Sequence, residues 1–317
     1  MKSRLLKKLS QLKVKMVVHS KIPFLKLISE LAIHLLPILI YIGIISALDY
    51  RYHLEEFHFP LTIVGVLGTV IGLLLAFRTN SSYDRWWEAR ILWGAIVNDS
   101  RTWTRQLLEF TPVEDADEGQ QEKIKNMAYR QIAWCYALTR SLRKQTVEED
   151  LKSFLDANEI ELYRSSQNVP NDLLLKQAGE LRQLYRDGSI ELFQFVELEK
   201  TLTRLTNSMG GCERIKNTTF PKSYSLLVHL LIYVFVMFLP FGLVEVPAIG
   251  LIITSFILAF AFLLIERVSI YLQDPFSVRP SDTPMLALSR TIEINIKQML
   301  GEQEIPVPRQ PVAGVLD

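Results

Sequence analysis

The stretch Phe59–Arg90, FPLTIVGVLGTVIGLLLAFRTNSSYDRWWEAR, decides how the rest of the chain is read. From Phe59 to Phe77 it carries no charge, and as a helix that run is long enough to cross a bilayer core of about 30 Å. Charge returns at Arg78, yet no proline interrupts the chain before Pro112. Backbone hydrogen bonding therefore has no reason to stop at the membrane boundary. The pattern predicts one helix of about fifty residues, roughly 75 Å long, ending at Phe110 before Thr111-Pro112. A rod of that length suits the wall of a passage leading from a membrane into a soluble vestibule.

Outward from this stretch, three further runs lack charge: Leu31–Leu48, Ser223–Val244 and Val246–Ile265. Each is near the length of a spanning helix, so four membrane spans are expected. Lys2, Arg4, Lys7, Lys8, Lys13, Lys15, Lys21 and Lys26 precede the first, with no acid before Glu30. The short hairpin loops hold Asp49, Arg51, Glu55, Glu56 and Glu245 instead. The positive-inside rule then puts both termini and the middle region in the cytoplasm of a cell with the chain in its inner membrane. The basic segment is too long for a cleavable signal, and no small-residue cleavage site follows it. The net charge of +1 does not define a partner.

Five regions follow. Residues 1–26 read as a basic interfacial helix, 27–77 as two spans and 78–222 as a cytosolic helical domain. Residues 223–266 hold two more spans, and 267–317 a helix near Met285–Leu300 and a Pro-containing tail that is either disordered or laid along a partner subunit. Within 78–222, helical periodicity dominates. Asn171 is a candidate N-cap for a helix over Leu173–Tyr185. Asp187-Gly188-Ser189 starts another helix, which ends at Gly210-Gly211.

Enzyme chemistry has little support. His19, His34, His53, His58 and His229 do not fall at metal-ligand spacing with a carboxylate. There is no glycine-rich phosphate loop and no GxSxG elbow. Cys135 and Cys212 do not make a disulfide or metal framework. The basic cluster adjoins a span, which argues for membrane lipid and against nucleic acid. His34 sits within the first span, where a neighbouring helix satisfies it or a function uses it.

Thr69, Leu73 and Phe77 recur every fourth residue and drift only about 40° per step, so they share one helical face. Gly68 and Gly72 form a GxxxG, with Gly65 nearby, offset by about 100°. Small residues of this kind let helices approach closely. If the glycines pack on a neighbouring subunit, the Thr69/Leu73/Phe77 face looks at a shared axis. Otherwise it is a lipid-facing or packing face of a monomeric bundle. Arg85 and Glu88, three apart, are expected to pair along the rod.

The run Phe77-Arg78-x-Asn80-x-Ser82-Tyr83-x-Arg85-Trp86-x-Glu88-Ala89-Arg90, followed by Leu92-Trp93-Gly94, is distinctive. So are Gly210-Gly211-Cys212-Glu213-Arg214 and Asp274-Pro275-Phe276. Together they resemble prokaryotic bestrophins over nearly the whole chain. The resemblance implies an all-α homopentamer with four transmembrane helices and a large cytosolic helical region, its central pore lined by second-span helices. It puts a hydrophobic neck at Thr69, Leu73 and Phe77 and a cytosolic aperture at Phe193, with Phe195 or Ile190 as substitutes. The family conducts anions in some branches and cations in others. Chloride and similar monovalent anions are the expected permeants here, a monovalent-cation channel being the alternative. A membrane-anchored helical scaffold is the rival of another class. Arg78 either adds positive potential below the neck or pairs with Asp84 or Glu88. Animal bestrophins bind calcium through an acidic cluster after the fourth span. Here Asp274–Asp282 is thin in carboxylates, so no cofactor is expected and calcium activation is disfavoured.

Overall fold

The computed structural model describes residues 24–52, 59–111, 118–218, 220–243, 245–312 and 316–317. The expected N-terminal basic helix, up to residue 23, and the acidic loop 112–117 lie outside the described residues. Among the described residues ten helices follow in order: α1 Phe24–Tyr52, α2 Leu61–Phe110, α3 Glu118–Leu142, α4 Glu148–Leu151, α5 Ala157–Tyr163, α6 Val169–Arg186, α7 Leu192–Asn217, α8 Lys222–Gly242, α9 Ala248–Leu272 and α10 Met285–Met299. The described residues contain no β-strand. Helices α1, α2, α8 and α9 are long and apolar enough to cross a membrane.

Helix α2 runs for 50 residues and stops at Phe110. Its buried positions include Val64, Ile71, Leu75, Arg78, Ser82, Ala89, Trp93, Ile96, Ser100, Trp103 and Leu107. Steps of three, four and seven keep them on one stripe. The first part of the stripe packs in a core with Leu31, Ile38, Ile232, Phe235, Leu251 and Leu263 of the other spans. The second part belongs to a separate core with Trp134, Leu181, Leu205 and Ile292 of α3, α6, α7 and α10. One helix thus joins two hydrophobic cores.

Several boundaries differ from the sequence expectation. Helix α6 starts at Val169, capped by Asn168, whose side chain accepts from the Asn171 N–H. Pro170 fits the first turn because its missing N–H would have no partner there, so Asn171 lies inside the helix. Helix α5 was not anticipated; it has only seven residues and buries Ile160 and Tyr163. Helix α7 begins after a Glu191–Gln194 capping box and continues through Gly210-Gly211 to Asn217. At Gly211 a Cβ would lie 2.8 Å from Leu92 Cδ1, so this glycine permits close approach of α2 rather than ending α7. Arg143 donates to Asp317 (Nη1–Oδ2 2.8 Å) and to the Phe276 carbonyl.

Arg130 of α3 is the polar centre of the second core. Its guanidinium donates to Glu159 of α5 at 2.6 and 2.8 Å and to Glu180 of α6 at 2.6 and 3.0 Å. Burial opposes ionisation of Glu159, but the bonds and charge of Arg130 outweigh it and hold this carboxyl below its usual range. A depressed carboxyl pKa stabilises the fold above its unfolded value, about 4.3. That contribution disappears as the pH falls through the folded-state value. Arg130→Ala is expected to lower stability by about 3 kcal/mol and to flatten the acid side of the pH–stability curve. Thermal unfolding of the detergent-solubilised protein between pH 3 and 7 measures both effects.

Candidate pore-lining surface

Opposite its buried stripe, α2 presents exposed positions that recur along its whole length. Val66, Thr69, Val70, Leu73 and Phe77 are among them within the span, and Asn80, Asp84, Ile91, Asn98 and Arg105 beyond it. Leu73 is 58% and Phe77 61% exposed on the protomer. The structure therefore brings Thr69, Leu73 and Phe77 together on one open face. The Thr69 hydroxyl donates to the Gly65 carbonyl at 2.9 Å. Its proton is held by the backbone four residues back, an ordinary arrangement for a helical threonine.

The glycines divide between two surroundings. A Cβ at Gly68 would lie 3.1 Å from the Phe235 ring of α8, whereas Gly65 and Gly72 have open space beside them. Gly68 thus serves contact within the protomer. The GxxxG is not one uniform surface.

Phe193, the second residue of α7, is 81% exposed. Ile190 is buried, and Phe195 packs against Tyr185 with ring centroids 5.3 Å apart. Of the three residues considered for the second aperture, Phe193 is the one that projects freely.

Charge placement where the spans adjoin the second core departs from expectation. Arg78 is only 2% exposed and points into the bundle, where its Nη1 donates to Glu266 of α9 at 3.2 Å. It does not pair with Asp84 or Glu88. Glu266 also faces His229 Nδ1 of α8 at 3.1 Å. The His229 ring lies edge-on to Tyr233 at 4.8 Å and to His34 at 5.8 Å, and His34 Nδ1 is 2.9 Å from the Tyr233 hydroxyl. Polar contacts and ring packing among these side chains thus link α1, α2, α8 and α9. Within a low-dielectric bundle such groups persist because each satisfies another.

The expected Arg85–Glu88 pair is also replaced. Arg85 donates to the Ile215 carbonyl at 2.6 Å and to the Gln273 carbonyl at 3.3 Å. These are the last turn of α7 and the end of α9, whose free carbonyls attract a cation. Burial lowers the Arg85 pKa from its ordinary value, against the opposing charges of Asp274 and Glu88. Glu88 pairs with Arg214 of α7. Trp86 Nε1 donates to the Ser281 carbonyl at 2.6 Å, joining α2 to the segment after α9. Glu266, His229, Tyr233 and Arg214 were missed as partners because each is remote in sequence. The one available signal was that Arg78 and Glu266 are the first charges after two of the apolar runs.

A family described as Bacterial/Fungal Bestrophin protein matches residues 7–298. The chain belongs to the bestrophin family. This bestrophin is 32% identical over 289 residues to the voltage-dependent anion channel-forming protein of Ralstonia nicotianae, covering 89% of this chain and 92% of that one. It is 32% identical over 277 residues to the voltage-dependent anion channel-forming protein YneE of Salmonella typhi, covering 87% and 88%. Its fold matches the crystal structure of a bacterial bestrophin homolog from Klebsiella pneumoniae with a TM-score of 0.79 at 29% identity, over 86% of this chain and 100% of that one. The all-α, membrane-spanning architecture is thus that of prokaryotic bestrophins.

Glu266→Ala would leave the Arg78 guanidinium buried without its carboxylate, and is expected to cost about 3–5 kcal/mol. The double variant R78M/E266M replaces both charges with apolar volume and should recover most of that loss. Thermal unfolding in detergent compares them; equal losses would mean that the pair is not what holds α2 to α9.

Proposed function

We propose that this bestrophin assembles as a homopentamer and conducts chloride and similar monovalent anions along the shared axis. Thr69, Leu73 and Phe77 form its neck, and Phe193 its cytosolic aperture. One observation carries this reading. The exposed stripe of α2 does not end where the span ends; it continues, carrying Asn80, Asp84, Asn98 and Arg105 as well as the apolar Ile91, along the half of the helix that packs in the second core. That continuity supports a conduit wall leading from the membrane into a soluble vestibule. Five copies would ring the axis with Leu73 and Phe77, a constriction that dewets when narrow and opens when the helices tilt or rotate.

Anions are favoured because relatives of this chain bear the name of anion channel-forming proteins. Aromatic edges are partially positive, so Phe77 rings turned edge-on to the axis would add to that preference. The alternative of monovalent cations draws on Arg78, whose charge is turned away from the axis and neutralised by Glu266. The chain would lie in the inner membrane among lipid with both termini cytoplasmic, a placement its lysine distribution supports. It acts without enzymatic chemistry or resident cofactor. The segment after α9 does not fit a calcium clasp: both Asp274 oxygens already face the Lys216 ammonium, at 2.9 and 3.2 Å, and one accepts from Ser277. The Lys216 ammonium already compensates this carboxylate, which disfavours a metal there.

Planar-bilayer recording of the purified protein tests this reading, with native mass measurement of the assembly. Leu73→Ala and Phe77→Ala are each expected to change conductance or rectification by at least about twofold, since each widens a hydrophobic ring. Unchanged currents in both would remove the neck, and a monomer would remove the shared axis. A scaffold would carry no current at all. Ion substitution in the same recording gives the sign of the permeant ion.

A further inference from the structure

We infer that Asp84 is a charge-selectivity determinant, an acidic ring below the neck that concentrates monovalent cations and holds back anions. This rests on the shared-axis reading of α2. Seven residues turn a helix to about 20° short of two full turns, so Asp84 lies nearly beneath Phe77, about 10 Å along the axis. Both residues are exposed on the same stripe.

What singles Asp84 out is that the neighbouring charges are already committed. Arg78 is turned inward to Glu266. Arg85 is bound to the Ile215 and Gln273 carbonyls. Glu88 is paired with Arg214, and Asp99 with Arg204 at 2.8 Å. Arg90 falls about 120° round the helix from Asp84. Arg101 donates to Asn295 at 2.8 Å. Asp84 has no side-chain partner among the described residues. The next cation on its line is Arg105, about 30 Å further on and several Debye lengths away at physiological ionic strength. Five uncompensated carboxylates in a narrow, low-dielectric passage focus their field on passing ions, and such rings favour cations. Asp84 therefore opposes whatever anion preference the neck supplies, and the measured selectivity is the balance of the two.

Reversal potentials under a salt gradient across a planar bilayer test this with the full chain. Asp84→Asn keeps shape and removes charge; it is expected to raise the anion-to-cation permeability ratio at least about threefold. Asp84→Arg should raise it further, and Asp84→Glu should leave it near the unaltered value. The Asp84→Asn effect should shrink between about 0.1 and 1 M salt as screening shortens the reach of the ring. Unchanged reversal potentials in Asp84→Asn and Asp84→Arg, beside altered conductance in Leu73→Ala or Phe77→Ala, would overturn the inference and leave the neck intact. If none of these variants alters the current, the shared-axis reading fails first and the role of Asp84 falls with it.

Discussion

Helix α2 has to serve two solvents with one backbone. Its 50 residues begin among apolar spans and finish in a domain with its own core. A helix in that position must bury a stripe along its whole length, because both halves need packing to hold them. The side left over is then also continuous. The buried and exposed stripes are two consequences of one periodicity, and the rest of the bundle is arranged around the buried one.

Where the two cores meet, apolar packing alone would leave α2 free to slide. Polar contacts supply the register there. Arg78 is tied to Glu266, Arg85 to the ends of α7 and α9, and Trp86 to the segment beyond α9. Leu92 closes against the bare backbone of Gly211. Any tilt of α2 near Phe77 must carry α9 with it or break a buried ion pair, an outcome made costly by the low dielectric. The same contact removes the arginine charge from the exposed face, so the electrostatics of the proposed pore fall to the residues that remain uncompensated there.

The second core is organised differently. Short helices α4 and α5 could not persist alone at four and seven residues. Bidentate bonding of Arg130 to Glu159 and Glu180 fastens α5 and α6 to α3. Trp93, Trp103 and Trp134 are fully buried in the same core. Such a domain gives the exposed half of α2 a rigid backing.

Four apolar runs, the absence of proline between Pro60 and Pro112 and the four-residue spacing of Thr69, Leu73 and Phe77 determined the spans, the long rod and the shared face, because these depend on local periodicity and length. Motifs around Phe77–Arg90 and Gly210–Arg214 carried the resemblance to bestrophins. Spacing along one helix suggested Arg85–Glu88, and it suggested Asp84 or Glu88 for Arg78; both suggestions gave way to partners more than a hundred residues distant. Likewise Gly210-Gly211 looked like a helix end until the packing of Leu92 supplied another reason for a glycine. Periodicity tells which side of a helix a residue occupies. Only the packed tertiary structure decides what faces that side, since burial makes an ionic group take the partner that best desolvates with it, however far away in the chain.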